Sequence, residues 1–354
     1  MRSNLKFFKK KKILPIDKFF QNVLYDKKFG YYNSKSPFGI NGDFITSPKI
    51  SNIFSEMIAI WIVSTWEAYG KPKNFNIVEL GPGDASLTNI LFRVFKKFPE
   101  FNFTKKIFLY EKSECLKKKQ KILLKKNKVT WIKNYKKIKK GPVIFFGNEF
   151  FDAIPIKQFK RKGRVYFEKY ITYDKRNKIK EIFKPASEKD VKILNSLKSI
   201  KNQKFIEFPK EGLEELKKIS KTIAKFNGCL LMIDYGYYKP NNQNTLQSIM
   251  KHSKNNIFNN LGKADITCHV NFSLLSEYLI KNNLKVKKTI TQNEFLNNMG
   301  ILQRAEIISK NMKFTEKSDL YLRLKRLLSH QYMGELFKVI LAYKSQINSY
   351  NGFK

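Results

Sequence analysis

This chain is organised around the stretch Asn76-Ile77-Val78-Glu79-Leu80-Gly81-Pro82-Gly83-Asp84-Ala85-Ser86. It begins as an apolar run typical of a buried strand, passes through a tight glycine turn, and continues from Ser86 in a helical pattern. Gly81 and Gly83 allow a sharp turn and leave no side chain between the main chain and a ligand. Because amide groups at the start of the next helix face the same space, the stretch predicts the first strand, turn and helix of an α/β sheet, with a ligand at the carboxyl end of the strand.

Two acidic residues near this turn indicate the kind of ligand. Glu79 stands two residues before Gly81, where a carboxylate suits an amino group such as that of the methionyl end of S-adenosylmethionine (SAM). Glu111 follows the strand-like residues 107–110 and could accept hydrogen bonds from both hydroxyls of a ribose. A dinucleotide site would need G-x-G-x-x-G and a P-loop would need G-K-[ST] after the glycines, and neither is present. The pattern favours a class I SAM-dependent methyltransferase over an ordinary glycine turn.

The net charge is the most unusual feature of the composition. Among 354 residues, 70 Lys and Arg against 29 Asp and Glu give a formal charge of +41. Such a charge suggests a nucleic-acid partner. However, only eight residues are arginine, whereas recognition of phosphates and bases favours arginine forks. The lysine excess is spread along the whole chain, which is more typical of compositional drift, so we do not expect nucleic acid as a partner.

Cysteine, histidine and hydropathy patterns exclude several other classes. The three cysteines are widely spaced, which indicates a reducing compartment without a disulfide framework. The three histidines have no metal-ligand spacing, so we expect no metal site. The longest apolar run, residues 57–63, is too short to cross a membrane. The basic N-terminus could begin a transit peptide, but folded-looking sequence starts near Pro15, which favours a cytoplasmic protein.

The first 70 residues are predicted to be mostly helical. Residues 15–25 form an amphipathic pattern, and a second helix is predicted to begin with Ser47 as N-cap and Pro48 at the first helical position. The turn-rich segment between them is rich in glycine and aromatic side chains. Because the crevice of an α/β sheet alone is open to water, we expect its last part, residues 42–48, to fold over the ligand site as a lid.

The remaining chain predicts an α/β sheet with two additions. Strand-like runs end near residues 80, 110, 132, 146 and 233, and a last one covers 337–343. Alternation with turns at Gly163 and Asn177 predicts an inserted β-meander over 157–184, and a helical region is expected over 272–328. The expected fold is a Rossmann-like class I methyltransferase sheet with an N-terminal helical segment, a β-rich insertion and a C-terminal helical elaboration. The expected domains are a helical and lid segment, 1–70, and a methyltransferase domain, 71–354, with insertions at about 157–227 and 240–330.

Acidic residues follow two of the predicted strands at the edge where the ligand would lie. They are Glu149 and Asp152 after the fourth strand and Asp234 after the fifth. For a guanidinium acceptor, carboxylates would aim one nitrogen at the methyl group and take up the proton after transfer. The alternative is that an acid at a strand end caps the next helix, as Asp152 before Ala153 could do. The run Asn148-Glu149-Phe150-Phe151 is also weakly similar to the Asn-Pro-Pro-aromatic loop of enzymes that methylate base amines, but it lacks both prolines.

Several runs along nearly the whole chain carry a family resemblance. They are Gly30-Tyr31-Tyr32, Pro37-Phe38-Gly39, Gly42-Asp43-Phe44-Ile45-Thr46-Ser47-Pro48, Phe54-Ser55-Glu56, Glu79-Leu80-Gly81-Pro82-Gly83, Asn148-Glu149-Phe150-Phe151-Asp152-Ala153-Ile154-Pro155, Asp234-Tyr235-Gly236, Thr245-Leu246-Gln247 and Met333-Gly334. Together they resemble the MidA family of SAM-dependent methyltransferases, whose mitochondrial members are arginine methyltransferases that assist assembly of respiratory complex I. The resemblance implies a protein substrate with a target arginine, such as a complex I subunit or its bacterial equivalent. It also implies the cytoplasm for a bacterial chain and the mitochondrial matrix for a eukaryotic one.

The pattern and the resemblance together select nine site residues. The expected catalytic residues are Glu149, Asp152 and Asp234, and the expected cofactor-binding residues are Glu79, Gly81, Pro82, Gly83, Glu111 and Asn148. An RNA, DNA or small-molecule methyltransferase and a non-catalytic SAM-binding assembly factor remain as alternatives. The oligomeric state is left open, with a homodimer as one alternative.

This chain departs from the family pattern at four positions. Ala85 stands where the family usually has Gly, Lys49 stands where it has an acid, and Asn244 and Asn271 stand where it has Asp. Ala85 is small enough to keep the turn. The other three positions carry no negative charge here, so we do not expect them to serve a substrate role that needs a carboxylate.

Overall fold

The computed structural model describes residues 2–34, 46–239 and 242–353, in two compact units. The meander unit contains the described residues among Met1–Phe44, Phe151–Leu216 and Tyr237–Tyr278, and the sheet unit contains those among Ile45–Phe150, Lys217–Gly236 and Leu279–Lys354. In this division residues 46–70 and 279–330 group with the sheet, whereas residues 151–216 and 237–278 group with the N-terminal residues. Most of the expected lid, residues 42–45, lies outside the described residues.

Six long strands, numbered in chain order, form the main sheet of the described chain. They are β1 (Phe75–Leu80), β2 (Lys105–Tyr110), β3 (Val129–Ile132), β4 (Val143–Asn148), β5 (Gly228–Tyr237) and β6 (Phe337–Lys344). Their order across the sheet is β6-β5-β4-β1-β2-β3, with β1 to β5 parallel and β6 antiparallel to β5. This order confirms the expected Rossmann-like sheet. Because the order reverses between β1 and β4, a crevice opens at the carboxyl ends of these two strands.

The central strands are buried because helices cover both faces of the sheet. All six residues of β1 are buried, as are five of the six in β4. This is the burial expected of parallel strands covered on both faces, and it explains why their sequences are continuous apolar runs. The helices that matter for the site are α1 (Ser47–Ile50), α2 (Asn52–Ala68), α3 (Ser86–Phe95) and α4 (Glu114–Leu123).

The helix predicted to begin at Ser47 is two helices in the structure. Thr46, not Ser47, is the N-cap of α1, so the predicted cap was wrong by one residue. At Ser51 the backbone is extended (φ −150°), which ends α1, and the Ser51 side chain accepts a hydrogen bond from the Ile53 backbone N–H at 3.3 Å. Ser51 thus caps α2, whose side chains are buried on most sides, including Trp61 and Trp66. A helix that is apolar nearly all round belongs in a core.

The meander unit contains an antiparallel sheet and a smaller one. The larger sheet has the strand order Ile13–Pro15, Val165–Tyr173, Lys157–Lys162 and Phe205–Phe208, and Ile179–Pro185 also pairs with Val165–Tyr173. The smaller sheet has the order Ser253–Asn255, Gln247–Met250 and Asp265–Thr267. The predicted meander over 157–184 is therefore confirmed. The first and last strands of the larger sheet and the whole smaller sheet were not predicted, because they are short and their alternation is weak.

The remaining helices and short strands complete the described chain. The helices are Arg2–Phe8, Ile16–Tyr25, Tyr31–Ser34, Pro99–Thr104, Tyr135–Lys137, Glu188–Asn195, Lys198–Ile200, Lys210–Phe226, Phe272–Lys281, Gln292–Asn298, Ile301–Ser309, Phe314–Leu328 and Met333–Leu336, and the short strands are Val270–Asn271, Lys285–Val286 and Ile290–Thr291. The helical region predicted over 272–328 is thus confirmed, with interruptions. Within the described ranges, no helix combines the length and the apolar character needed to span a bilayer.

Candidate active site

The turn after β1 takes a left-handed backbone at three positions. Gly81, Gly83 and Ala85 have φ values of 62°, 57° and 64°. An ideal Cβ on Gly81 would lie 2.8 Å from Cδ2 of the Phe150 ring, so a side chain there would displace that ring. The Pro82 carbonyl accepts a hydrogen bond from the Ala85 N–H at 2.7 Å and closes the turn. Ala85 therefore keeps the turn, as expected from its size, although it adopts a conformation that glycine takes at no steric cost.

The Glu79 carboxyl lies inside the sheet unit behind this turn. Glu79 is 3% exposed, and its carboxyl accepts a hydrogen bond from the Thr88 hydroxyl of α3. Burial raises the pKa of Glu79 to about 8, with a further contribution from the charges of Asp84 and Glu111, while the Thr88 hydrogen bond opposes the rise. The carboxyl is therefore mostly protonated at pH 7. A bound ammonium group would favour its ionised form.

The Glu111 carboxylate is buried at the end of β2. The Ser113 backbone N–H donates to its Oε1 at 2.7 Å and Gln120 Nε2 donates to its Oε2 at 3.1 Å. Burial raises the pKa of Glu111, and these hydrogen bonds oppose the rise. Each oxygen of a carboxylate can accept more than one hydrogen bond. The group is thus held in place while it keeps capacity for two hydroxyl donors.

Gln120, on α4, was not predicted as a site residue, yet it connects three parts of the site. Its side chain is fully buried, and Nε2 donates to the Gly83 carbonyl at 2.8 Å as well as to Glu111. Its Oε1 accepts from the Trp131 indole N–H of β3 at 2.8 Å. Since an indole can only donate, this contact assigns the orientation of the amide. In the sequence, Gln120 lies in a lysine-rich helix and carries no local signal of burial.

The loop after β4 presents Glu149 in a strained conformation. Its φ is 54°, which is uncommon for a residue with a side chain and is found disproportionately at functional sites. Its Oε1 accepts hydrogen bonds from Asn148 Nδ2 at 3.0 Å and from the Ser47 backbone N–H at 3.3 Å. The Oδ1 atom of Asn148 is buried and has no hydrogen-bond partner within the described part of the chain. A buried amide oxygen of this kind can accept a hydrogen bond from a ligand that carries a hydrogen-bond donor.

Asp234, at the end of β5, holds this loop. It is 1% exposed, its Oδ2 accepts from the Phe150 N–H at 3.1 Å, and its Oδ1 accepts from the Tyr235 N–H at 2.9 Å. Asp152, by contrast, belongs to the meander unit, where its backbone carbonyl accepts from the Cys268 N–H at 3.1 Å. The structure therefore joins Glu149 and Asp234 through one loop and assigns Asp152 to the other unit.

The positions that depart from the family pattern have polar partners in this structure. Lys49 Nζ lies 2.5 Å from Oδ2 of Asp84, whose Oδ1 accepts from the Ser86 N–H at 3.1 Å, so α1 is tied to the glycine turn. In the meander unit, Asn244 Oδ1 accepts from Gln158 Nε2 at 2.6 Å and Asn271 Oδ1 accepts from the Leu274 N–H at 3.1 Å. These contacts give all three side chains a structural role.

The donor and acceptor set of the crevice fits SAM. Its acceptors are the buried carboxyls of Glu79 and Glu111 and the Oδ1 atom of Asn148. These match a ligand that offers an ammonium group and two ribose hydroxyls. Across residues 2–34, 46–239 and 242–353, no cluster of three or more His, Cys, Asp and Glu side chains is arranged to hold a metal ion.

Comparison with known proteins identifies relatives that match most of the chain. The sequence model of a family described as "Putative S-adenosyl-L-methionine-dependent methyltransferase" matches residues 57–290. A protein of Danio rerio named "Protein arginine methyltransferase NDUFAF7, mitochondrial" is 28% identical over 350 residues, which cover 92% of this chain and 82% of that protein. The Homo sapiens protein of the same name is 27% identical over 351 residues, covering 92% and 78%.

The fold is also that of a solved structure. A protein from Burkholderia thailandensis, crystallised with S-adenosyl-homocysteine, superposes with a TM-score of 0.82 at 20% identity, over 99% of this chain and 93% of that one. At this identity the similarity establishes the fold. It agrees with the strand order of the main sheet.

The raised pKa of Glu79 predicts a pH-dependent stability. Its folded-state pKa of about 8 exceeds the ordinary 4.5. The contribution of this group to the free energy of unfolding is therefore fully present below pH 4.5 and is lost as the pH rises through 8. We expect Glu79→Gln to be more stable than the wild type at pH 8.5 by on the order of a few kcal/mol, and to match it near pH 4.5. Urea denaturation of the ligand-free proteins at several pH values measures this. Glu67→Gln, at an exposed position, is the control, and parallel profiles for wild type and Glu79→Gln would contradict the prediction.

The contacts of Gln120 predict a large loss of stability on its replacement. Gln120→Leu leaves the Trp131 N–H, the Gly83 carbonyl and one Glu111 oxygen without this partner. The contact with Glu111 is buried and the other two are partly buried. A buried group left unsatisfied costs about 1–3 kcal/mol, so we expect the free energy of unfolding to fall by about 2 kcal/mol. Denaturation of Gln120→Leu beside Gln303→Leu, at an exposed position, tests this. Equal stabilities of the two variants would show that the three contacts contribute little.

Proposed function

The chain belongs to the family of S-adenosyl-L-methionine-dependent methyltransferases whose model matches 234 of its 354 residues, and we propose that it methylates an arginine side chain of a protein. The observation that carries the proposal is the strained Glu149 at the end of β4, beside the strand β1 that leads into the glycine turn. The names of the relatives, which are protein arginine methyltransferases, support arginine as the acceptor.

The proposed SAM site uses the turn and the two buried carboxyls. SAM, when bound, supplies a methyl group on a positively charged sulfur. We assign the methionyl ammonium to Glu79, the ribose hydroxyls to Glu111, and the close backbone approach to Gly81, Pro82 and Gly83. Asn148, whose Oδ1 has no partner among the described residues, would accept a further hydrogen bond from the cofactor. Gln120 would orient Glu111 toward the ribose.

Glu149 is the proposed catalytic residue. A guanidinium is protonated in water, so a carboxylate that pairs with it can steer one nitrogen toward the methyl group and accept the proton released by transfer. The two hydrogen bonds to Oε1, from Asn148 and Ser47, restrict the orientation of this carboxylate before the acceptor arrives. Asp234 is proposed as a positioning residue, because its oxygens hold the backbone of the loop that carries Glu149. Asp152 is the second candidate for the acceptor base.

The segment before α2 is the proposed cover of the site. Within its described part, the Ser47 N–H contacts Glu149, and Lys49 pairs with Asp84 in the glycine turn. Both contacts attach α1 to the crevice, which supports the lid expected from residues 42–48. Closure of such a segment would exclude water from the transfer step. Deletion of residues 1–48 without loss of SAM affinity would contradict this role.

The proposed acceptor and compartment follow from the family resemblance. The MidA resemblance points to a respiratory complex I subunit or its bacterial equivalent, in the mitochondrial matrix or the cytoplasm respectively. Tritiated SAM added with the purified enzyme to a lysate of a strain that lacks the gene, followed by mapping of the label, tests the acceptor. Label on a protein arginine supports the proposal. Label in RNA or DNA, or in metabolites freed of protein, would replace it with one of the alternative activities.

Glu149→Gln tests the catalytic assignment. This change keeps the shape and removes the charge that would pair with the guanidinium. We expect SAM affinity close to the wild-type value, measured by calorimetry, and methyl transfer slower by about a hundredfold or more, the usual range for a lost acid–base group. Wild-type transfer would make Glu149 structural and Asp152 the candidate. Loss of SAM binding would assign Glu149 to the cofactor.

Gly83→Ala tests the cofactor site, with Gly163→Ala as the matched control. Both glycines are left-handed, at φ 57° and 58°, so both substitutions carry similar backbone strain, on the order of 1–2 kcal/mol. Gly163 lies in a hairpin turn where nothing is within 4 Å of an added Cβ. We expect Gly83→Ala to weaken SAM binding by about tenfold or more, because the methyl group enters the space of the ligand. Calorimetry in which both variants keep wild-type affinity would place SAM elsewhere.

A further inference from the structure

A cavity beside the larger sheet of the meander unit is lined by a group of cations, which we call the basic pocket. It consists of Lys160, Arg161, Lys162, Lys169 and Lys204, around a cavity of about 500 Å³. Five of the nine residues that line this cavity are thus cationic, whereas the chain average of 70 in 354 would give about two. Glu181 is the one acid among them. The pocket is therefore more basic than the lysine-rich composition alone would produce.

The strand register places three of these cations, Lys160, Lys162 and Lys169, on a common face of the sheet. Lys160 lies opposite Phe205 on one neighbouring strand and opposite Phe167 on the other, and Lys169, two residues after Phe167, lies opposite Phe183. Residues directly opposite each other, and every second residue along a strand, share a face of the sheet. Lys162 shares that face with Lys160 for the same reason. The convergence of these three charges thus follows from the pairing of Lys157–Lys162 with Val165–Tyr173.

Aromatic rings on this face contact the ammonium groups of two of the lysines. Lys160 Nζ lies 4.4 Å and Lys169 Nζ lies 5.7 Å from the centroid of the Phe183 ring, so two like charges share one ring. Lys169 Nζ is also 5.7 Å from the Phe205 centroid and forms an ion pair with Glu181 at 3.0 Å, although Lys169 is 3% exposed. Repulsion between the neighbouring cations would fall if an anion entered the cavity.

We propose that the basic pocket binds carboxylate side chains of an acidic segment of the acceptor protein. This inference rests on the proposed function, since it needs an acceptor that is a polypeptide. An enzyme with a net charge of +41 repels a cationic target arginine at long range. A substrate that carries acidic residues elsewhere would offset this repulsion, and a pocket lined by lysine is the complementary surface.

The contacts within the pocket favour a carboxylate ligand over nucleic acid. Single-stranded nucleic acid binds through bases that stack on open aromatic faces and through arginine. Here lysine ammonium groups lie over the Phe183 and Phe205 rings, and Arg161 donates to the backbone carbonyls of Gly163, at 2.8 Å, and of Lys201. The exposed ammonium groups of Lys160, Lys162 and Lys204, each with several donors, can receive an anion.

Peptide binding by a charge-matched pair of variants tests the pocket. The pocket variant is Lys160→Gln/Lys162→Gln/Lys204→Gln, three exposed positions, and the control is Lys27→Gln/Lys28→Gln/Lys189→Gln, three exposed positions of the same unit outside the pocket. The probe is a fluorescein-labelled peptide of ten glutamates, followed by anisotropy with the full-length protein at about 0.1 M salt, where charges more than roughly 10 Å apart are screened. We expect the pocket variant to bind about tenfold more weakly than the wild type and the control to change less than about threefold.

Three results would overturn the inference. Equal weakening in both variants would show that net charge alone attracts the peptide. No binding of the peptide by the wild type would remove the carboxylate ligand. Tighter binding of a labelled ten-nucleotide RNA that is lost only in the pocket variant would replace the ligand with nucleic acid. Because these measurements need neither SAM nor methyl transfer, they are separate from the labelling experiment, which alone decides whether arginine is methylated.

Discussion

The left-handed turn that ends β1 is the constraint on which the site depends. Positive φ values at Gly81, Gly83 and Ala85 bring α3 back so that Thr88 reaches the buried carboxyl of Glu79. The same turn receives Gln120 of α4 at the Gly83 carbonyl and Lys49 of α1 at Asp84. One short segment therefore positions three helices, and a residue that could not adopt these backbone angles would disturb all of them.

The acidic groups of the sheet unit divide into distinct roles because their surroundings differ. Burial raises the pKa of Glu79 and of Glu111, because it disfavours the ionised carboxylate. A ligand that supplies hydrogen-bond donors or positive charge would stabilise the ionised form of each. Asp234 is equally buried, but backbone N–H groups satisfy it and it serves the loop after β4. Glu149, on that loop, is more exposed and strained, which suits a group that meets an acceptor from solution.

The charge of the whole molecule bears on the proposed reaction as well as on solubility. The proposed cationic acceptor would approach a protein with a net charge of +41, so attraction would come from local carboxylates at the strand ends and from acidic parts of the acceptor. The basic pocket and the acidic crevice would then recognise different parts of one substrate. This division is consistent with a protein acceptor, since a free small guanidine could engage only the crevice.

The sequence by itself determined the fold class, the parallel strands, the glycine turn, the inserted meander and the positions of Glu79, Glu111 and Glu149, because each depends on local periodicity or on a residue at a strand end. Only the tertiary structure decided that Thr46 rather than Ser47 caps α1, that Gln120 joins the turn to Glu111, that Lys49 pairs with Asp84, and that Asp234 holds the loop of Glu149. The last three are side-chain contacts between residues 35 to 84 positions apart. No local sequence pattern predicts contacts between residues so far apart in the chain, because these contacts follow from strand register and helix packing.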